Sequence, residues 1–340
     1  MRRKLYGYGG GALLLLGASV LLALSIGSAG FPPAKVWSIL LHQLAPGGAE
    51  PPWTALEEAI IVQVRLSRVV LAVLVGACLA LAGAGFQGVL RNPLADPYTL
   101  GVASGSSIGA AFLILFGLQT FIGMYSIPIV AFGTGVLTLL AVFWLARTQG
   151  RLGVETLILS GVVVQAFLSA FVSYMVSLSQ GVVNEILFWL MGSLSKRNWG
   201  HVSMLVPFVA IGLPVLLYYA RALNLFVIGE RPAAHLGVRV ERTKLIVLLA
   251  STLLTAAAVS VSGVIGFVGL VVPHVIRLMV GPDYRLIVPL SAIGGGIYVL
   301  WADTLARTLL SPKEIQLGIV TAFIGAPFFG YLLKRRKASI

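Results

Sequence analysis

The sequence predicts an all-α membrane protein that crosses the bilayer many times. Hydrophobic residues make up 58% of its 340 residues and charged residues only 10%, whereas a soluble domain is about a quarter charged and less than half apolar. Long uncharged apolar segments are typical of transmembrane helices, whereas the strands of a transmembrane β-barrel alternate apolar and polar residues. The composition also excludes a soluble enzyme, a disordered chain and a fibrous protein.

Segments free of Asp, Glu, Lys and Arg delimit the predicted spans, since a helix needs about 20 apolar residues to cross the hydrocarbon core. The 50 residues between Asp96 and Arg147 are enough for two spans, with a break around Gly117–Pro128. Six other segments suit one span each: those between Lys4 and Lys35, Arg68 and Arg91, Glu155 and Glu185, Arg197 and Arg221, Arg285 and Asp303, and Glu314 and Lys334.

The 32 residues between Lys244 and Arg277 fit either one long helix or two spans. Gly263, Gly266 and Gly269, followed by Pro273, favour a break, because glycine and proline interrupt helices. Two spans here give ten in total, with both termini on the same side of the membrane.

The distribution of basic residues supports ten spans with both termini cytoplasmic, because Lys and Arg accumulate in cytoplasmic loops. The nine-span alternative moves the KRRK tail outside and divides the 24 basic residues 13 to 11. With ten spans, seven lie outside and seventeen inside, the latter being Arg2, Arg3, Lys4, Arg91, Arg147, Arg151, Arg221, Arg231, Arg239, Arg242, Lys244, Arg277, Arg285, Lys334, Arg335, Arg336 and Lys337.

The N-terminal MRRK and the apolar run after it fit either a signal peptide or a first span, and we interpret them as a span. We expect one transmembrane domain over residues 1–340, with an outer loop at 30–64 and a cytoplasmic region at 221–244. The net charge of +13 is explained by the cytoplasmic loops, so no nucleic-acid partner is expected. One cysteine, Cys78, and four histidines predict no disulfide and no metal site.

The sequence lacks the motifs of an enzyme that would energise transport itself. A phosphate-binding P-loop needs Gly-Lys followed by Ser or Thr, and no Lys follows a Gly here. Energy must therefore come from another subunit or from an ion gradient. An ion-coupled secondary transporter needs ionisable groups within its spans, and Asp303 is the acidic candidate, with Arg307 four residues later as a helical ion-pair partner. A structural or receptor membrane protein is a further alternative.

Three arginines mark the outer ends of two predicted spans. Arg65 and Arg68 lie at the start of span 2, and Arg307 lies near the end of span 9. Such residues can receive carboxylates of a soluble partner. They can equally place their charges at the lipid headgroups while their stems stay in the apolar region.

Two cytoplasmic segments are further candidates. RNPLADP (Arg91–Pro97) must be a structured turn or re-entrant segment, because irregular backbone in lipid leaves hydrogen bonds unsatisfied. GERPAAHLGV (Gly229–Val238) mixes charged and apolar residues within the most basic loop and predicts one or two short interfacial helices. These would dock on a soluble partner or anchor to lipid headgroups.

Glycines four residues apart predict close helix packing. Gly101, Gly105 and Gly109 lie on one helix face, where small residues let two backbones approach in lipid. Gly294, Gly295 and Gly296 are interpreted in the same way, and packing is favoured over a ligand role for both groups.

Four blocks of the sequence resemble the permeases of iron-chelate, haem and cobalamin ABC importers, the FecCD type. They are Arg65–Gly105, GERPAAHLGV, Ser262–Gly281 (SGVIGFVGLVVPHVIRLMVG), and WADTLAR with the later GIVTAFIGAPFF. The resemblance extends in order from about Val64 to Lys334.

The resemblance implies a ten-span permease of the type II ABC importer architecture in the bacterial cytoplasmic (inner) membrane. It implies a homodimer with the translocation path at its interface, two cytoplasmic ATP-binding subunits, and an extracytoplasmic substrate-binding protein. ATP hydrolysis is expected on the separate subunits, and this chain is expected to hold no cofactor. The cargo implied is a metal chelate, with iron(III)-siderophore favoured and haem or cobalamin as the other candidates.

The resemblance also assigns roles to residues. Arg65, Arg68 and Arg307 fall on the family's docking arginines for the binding protein, and Ser67 stands where many relatives have Pro, which is expected to change the local helix start. The coupling segment falls on Gly229, Glu230, Arg231, Ala234, His235, Leu236 and Gly237. The turn at the cytoplasmic gate falls on Arg91, Asn92, Pro93 and Asp96.

Overall fold

The computed structural model describes residues 2–27, 30–44, 52–148, 151–179 and 181–337, and these residues are almost entirely helical. The α-helices are α1 Arg2–Ser25, α2 Pro33–Leu44, α3 Ala55–Ala59, α4 Ser67–Leu90, α5 Val102–Leu115, α6 Gln119–Ile122, α7 Ser126–Ala146, α8 Val154–Leu178, α9 Val183–Leu190, α10 Trp199–Phe226, α11 Glu230–His235, α12 Val240–Ser262, α13 Val268–Val280, α14 Tyr284–Thr308 and α15 Leu317–Lys337. Two antiparallel strands of two residues each, β1 Arg147–Thr148 and β2 Arg151–Leu152, lie between α7 and α8.

Seven helices among the described residues are long and apolar enough to cross a membrane. Three further apolar helices, α5, α13 and Leu317–Tyr331 of α15, are shorter. At 1.5 Å per residue, the 14 residues of α5 rise about 21 Å, less than the ~30 Å hydrocarbon core. Together the ten helices fall in the ten segments that the charge pattern predicts. The count of ten crossings stays a prediction.

Both predicted breaks within the long apolar segments are confirmed. The segment between Asp96 and Arg147 is interrupted between α5 and α7, where Gly117 and Gly123 have positive φ angles. The segment between Lys244 and Arg277 is interrupted at residues 263–267, where Gly263 has φ 72°. Gly269 and Pro273 lie within α13 instead of in the break.

The predicted outer loop at 30–64 is largely helical. It contains α2, and from Ala55 a helix runs without interruption through α3 and a π-helical segment, Ile60–Leu66, into α4. The second span is therefore part of a 36-residue helix. The charge-free count missed its first part because Glu57, Glu58 and Arg65 interrupt it. Residues 45–51 lie outside the described part of the chain.

Helix α4 is the centre of the fold. Twenty of its 24 residues are buried, and it packs against α10, α12, α13 and α14. A Cβ on Gly76 would overlap the carbonyl oxygen of Gly295 in α14, and a Cβ on Gly83 would overlap that of Gly269 in α13. Only glycine allows backbones to approach this closely.

One buried side chain compensates for the proline in α13. Pro273 has no N–H to donate to the carbonyl of Gly269, four residues earlier. Gln87 of α4 donates its Nε2 to the carbonyl oxygens of Gly269 (3.4 Å) and Leu270 (3.1 Å). This hydrogen bonding satisfies a backbone group that would otherwise be exposed to an apolar interior.

The packing interpretation is confirmed for Gly105 and Gly109 and for Gly294, Gly295 and Gly296, but Gly101 precedes α5 and does not lie on its face. Gly105 and Gly109 of α5 face Thr138 and Thr134 of α7 so closely that a Cβ on either glycine would overlap the threonine side chain. Gly101, with φ 72°, ends a 3₁₀-helix over Pro97–Leu100. Gly295 packs on α4, as described above.

We expect Gly83→Ala to destabilise the protein by about 1–3 kcal/mol, because the added methyl group must displace backbone of α13. Gly133→Ala in α7 is the matched control, since nothing lies within 4 Å of its Cβ position, and alanine there should stabilise the helix by about 0.5–1 kcal/mol. The measurement is the thermal unfolding midpoint of each variant in detergent. Equal midpoints for the two variants would contradict the close contact between α4 and α13.

Candidate functional sites at the two ends of the helix bundle

The structure brings the three predicted outer arginines together, although 242 positions separate Arg65 from Arg307 in the sequence. Arg65 lies in the π-helical segment that precedes α4, Arg68 lies in the first turn of α4, and Arg307 lies in the last turns of α14. All three are largely buried: the side chains of Arg68 and Arg307 are 14% and 8% exposed, and Arg65 is 6% exposed.

Arg68 is held by two carboxylates. Its Nε and Nη2 donate to Asp303 of α14 at 3.0 and 2.9 Å, and its Nη1 and Nη2 donate to Glu314 at 2.9 and 3.0 Å. Asp303 is buried, whereas the Glu314 side chain is 37% exposed. Burial raises the pKa of Glu314, but hydrogen bonds from Arg68 bring the net shift of this pKa below the usual value.

Arg65 and Arg307 instead bind the end of α1. Arg65 donates Nη1 to the carbonyl oxygen of Leu24 at 2.8 Å, and Arg307 donates Nη2 to the carbonyl oxygen of Ala23. The last carbonyls of a helix have no partner within that helix, and basic side chains are favourable there because of the helix dipole. The two arginines therefore fix the outer end of α1 to α4 and α14.

The predicted pair of Asp303 with Arg307 is present, but it is secondary. Their closest atoms are 3.9 Å apart, whereas Asp303 makes a bidentate contact with Arg68. Sequence spacing identified the contact within one helix, and it could not reveal the partner 235 positions away in the chain. Glu314 was likewise missed, since it follows α14 in a loop with no local signal.

Ser67 is the first residue of α4 and directly follows the π-helical segment. That serine in place of proline changes the helix start stays a prediction. The helix continues through residue 67, and the Ser67 hydroxyl donates to the carbonyl oxygens of Gln63 (2.6 Å) and Val64 (3.1 Å). A proline here would remove a backbone donor from the continuous helix. Serine instead adds a donor where the π-helical geometry changes to α-helical.

The RNPLADP segment is a structured turn, as predicted. Arg91 ends α4 in the left-handed conformation, with φ 51°. Asn92 Oδ1 accepts from the Leu94 N–H at 2.9 Å, and Asp96 Oδ1 accepts from the Tyr98 N–H at 2.8 Å, which caps the following 3₁₀-helix. Burial raises the pKa of Asp96 to about 6, and the Tyr98 N–H opposes this rise. Pro93 lies within the turn.

This turn is tied to the break between α12 and α13. The Tyr98 hydroxyl donates to the carbonyl oxygen of Ile265 at 2.8 Å and accepts from its N–H at 3.3 Å. Both backbone groups of Ile265 lie in the interrupted segment, where no helix supplies partners. One side chain therefore satisfies them and fixes the Arg91–Pro97 turn to the irregular backbone of 263–267.

The GERPAAHLGV segment forms one short helix, α11, which confirms that part of the prediction. Ala233 is completely buried and anchors the helix against the bundle. The outer side is exposed and consists of Arg231, Pro232, Ala234, His235, Leu236 and Gly237. Gly229 (φ 135°) and Gly237 (φ 87°) form the turns on either side.

Glu230 joins α11 to two other elements. It accepts from Lys244 Nζ of α12 at 3.0 Å and from Arg91 Nη2 at 3.5 Å. Lys244 is nearly buried, whereas Arg91 is 43% exposed in its side chain, so the first contact is the stronger of the two. Glu230 thereby links α11 to the start of α12 and to the end of α4.

Comparison with known proteins identifies the family of the chain. The model of the FecCD transport family matches residues 14–335. The chain belongs to the FecCD transport family. It is therefore an ABC importer permease, a multi-span protein of the cytoplasmic membrane that is not itself an ATPase.

Two curated relatives and one solved structure show the extent of the similarity. The chain is 43% identical to the Bacillus subtilis "Uncharacterized ABC transporter permease protein YvrB", covering 94% of this chain and 91% of the relative. It is 43% identical to the Halobacterium salinarum "Cobalamin import system permease protein BtuC", and the match covers 95% of this chain and 85% of that relative. A solved structure described as "An inward-facing conformation of a putative metal-chelate type ABC transporter" superposes with a TM-score of 0.83 at 33% sequence identity. The superposition covers 98% of this chain and 100% of that structure.

Family membership answers the question of the energy source that the sequence left open. An ion-coupled secondary transporter would need an intramembrane acid available for protonation. Asp303 instead forms a buried ion pair with Arg68 and has a structural role at the outer end of the bundle. The docking role of Arg65, Arg68 and Arg307 stays a prediction.

We expect Asp303→Asn to destabilise the permease by about 3–5 kcal/mol, because it leaves the Arg68 charge without its buried partner. Glu314→Gln is the matched control. It removes a carboxylate from the same arginine, but at an exposed position, and should cost at most about 1 kcal/mol. Thermal unfolding in detergent measures both. Midpoints that fall equally in the two variants would show that Asp303 is not the principal partner of Arg68.

Proposed function

We propose that this FecCD permease imports a metal chelate, most favourably an iron(III)-siderophore, in a complex driven by two cytoplasmic ATP-binding subunits. The observation that carries the proposal is the geometry of α11. This short helix is anchored by Ala233 and Glu230 and presents an exposed surface of mixed charged and apolar residues at the predicted cytoplasmic side. A fixed helix with a free outer face is suited to fit a cleft in a soluble partner.

The proposed transport cycle uses the contacts around Glu230. ATP binding and hydrolysis move the ATPase subunits, and these carry α11 with them. The salt bridge to Lys244 transmits the movement to α12, and the weaker contact to Arg91 transmits it to the gate turn and to α4. The coupling role rests on Gly229, Glu230, Arg231, Ala234, His235, Leu236 and Gly237, and the gate role on Arg91, Asn92, Pro93 and Asp96.

The proposed assembly is a homodimer with the translocation path between the two copies. Helix α8 supports this, because Leu157, Gly161 and Val172 are its only buried residues, and large apolar side chains such as Phe167 (63% exposed) cover its remaining surface. That surface needs lipid or a second copy as its partner. We propose ten spans, of the type II importer architecture, with both termini cytoplasmic.

The proposed docking site for the extracytoplasmic binding protein is the surface around Arg65, Arg68 and Arg307. These arginines already bind internal acceptors. A partner carboxylate would therefore exchange with one of these acceptors, and the exposed Glu314 is the most accessible. Docking by exchange connects arrival of the binding protein to the contact that joins α4 to the loop after α14.

The proposed cargo belongs to the class of metal chelates. The family imports metal chelates, and the described residues contain no cluster of three or more His, Cys, Asp or Glu side chains that would extract a metal ion from its chelator. We therefore propose that the intact chelate passes through. Uptake of radiolabelled ferric hydroxamate in competition with haem and with cobalamin, in cells that carry the complete transporter, tests the order of preference.

We expect Leu236→Asp to reduce co-purification of the ATPase subunits about tenfold or more, because a charge at an exposed apolar contact of a docking helix removes a central interaction. Leu310→Asp is the matched control, since Leu310 is 63% exposed and Leu236 is 64% exposed, but Leu310 lies at the opposite end of the bundle. The measurement is the ATPase-to-permease ratio after affinity purification. An unchanged ratio for Leu236→Asp would contradict the role of α11.

We expect trypsin to remove a C-terminal epitope, placed after the KRRK sequence, in inside-out membrane vesicles and to leave it intact in right-side-out vesicles. Ten spans put this tail in the cytoplasm, where basic segments accumulate. Cleavage in right-side-out vesicles alone would instead support nine spans.

A further inference from the structure

A large basic cavity opens at the predicted cytoplasmic end of the bundle, next to the exposed face of α11, with which it shares Gly237. Its volume is about 850 Å³, within the range of small-molecule sites. Its lining residues come from the end of α10, the loop after α11, and the beginnings of α12 and α14; the arginines among them are Arg221, Arg239, Arg242 and Arg285.

The lining of the cavity carries positive charge and no acidic side chain. None of the described residues that line it is Asp or Glu. Elsewhere on this end of the bundle, Arg91 and Lys244 form salt bridges with Glu230. By contrast, the salt bridges of the described residues include none to Arg221, Arg239 or Arg242. Three guanidinium groups therefore remain available to an anion.

The cavity lies at the expected edge of the membrane. It lies where α10 ends and where α12 and α14 begin, three helices long and apolar enough to span. Tyr218 is 79% exposed and Leu217 is 39% exposed, one turn or less before Arg221. Tyrosine is enriched at membrane–water interfaces. An apolar surface thus continues directly into the arginine-lined opening.

The walls of the cavity are fixed by hydrogen bonds between helix ends. Asn224 near the end of α10 donates Nδ2 to Asp283 Oδ1 at 2.6 Å, and its Oδ1 accepts from the Tyr284 N–H at 2.8 Å. Asp283 also accepts from the Arg285 N–H at 3.0 Å. These contacts join the end of α10, which carries Arg221, to the start of α14, which carries Arg285, so this part of the lining is fixed without a ligand.

We propose that this cavity binds the phosphodiester headgroup of an anionic phospholipid from the cytoplasmic leaflet. Arginine pairs with phosphate oxygens through two parallel hydrogen bonds, and basic pockets between spans on the cytoplasmic side are suited to such headgroups. The apolar Leu217, Ala222, Leu225 and Val238 of the same lining would contact the glycerol and the first acyl carbons.

A bound lipid would also stabilise the loop that follows α11. Gly237, Val238 and Arg239 line the cavity and directly follow α11. A headgroup held by Arg239 and Arg242 would join this loop to the ends of α10 and α14. The inference rests on the cavity and its charges, and it does not depend on which chelate is transported.

The test is retention of dioleoyl-phosphatidylglycerol against dioleoyl-phosphatidylcholine by the purified full-length chain, followed by native mass spectrometry. The wild type should retain the anionic lipid preferentially. Arg221→Gln, Arg239→Gln and Arg242→Gln should each weaken this retention about fivefold, the effect expected for one basic residue near an anionic lipid. Arg147→Gln is the matched control, because Arg147 is also exposed at a predicted cytoplasmic helix end but lies outside the cavity.

Each other outcome overturns the proposal. Equal retention of the two lipids excludes a headgroup site, and an equal loss in Arg147→Gln shows a general effect of surface charge. Displacement of phosphatidylglycerol by millimolar inorganic phosphate identifies free phosphate as the ligand. If the three variants retain the lipid but lose the ATPase subunits on co-purification, the arginines bind protein instead.

Discussion

The fold depends on one constraint, which is that α4 is enclosed by other helices along its whole length. A helix buried on every side has no lipid-facing surface, so its packing must be satisfied entirely by its neighbours. Glycine at positions 76 and 83 allows the backbones of α14 and α13 to approach α4 directly. Gln87 then supplies the hydrogen bonds that Pro273 removes from α13. The sequence of α4 therefore determines both the close helix packing in the centre of the bundle and the hydrogen bonding of the backbone groups buried there.

The same helix connects the two candidate sites. Its N-terminal end carries Arg68, bound to Asp303 and Glu314, and its C-terminal end is Arg91, in contact with Glu230 of α11. Since α4 is packed against its neighbours between these ends, it joins the two clusters of charged residues structurally. This arrangement suits a permease that receives cargo on one side and energy on the other.

The sequence predicts the membrane class, the helical segments and both interior breaks, because hydropathy, charge spacing and glycine positions are local signals. It also predicts the turn at Arg91–Pro97 and a helix at Gly229–Val238. It could not predict that Arg68 pairs with Asp303 or that Arg65 caps α1, because these contacts join residues far apart in the chain. The helical character of residues 55–64 was missed since two charges, Glu57 and Glu58, interrupt an otherwise apolar segment.

The central claim is that this permease has no energy source of its own and is driven from the cytoplasmic side. The most direct measurement is accumulation of a radiolabelled ferric chelate in proteoliposomes, with and without the ATPase subunits and the binding protein. The account predicts accumulation only when all components and ATP on the ATPase side are present. Uphill accumulation by this chain alone, on a proton or sodium gradient, would contradict it.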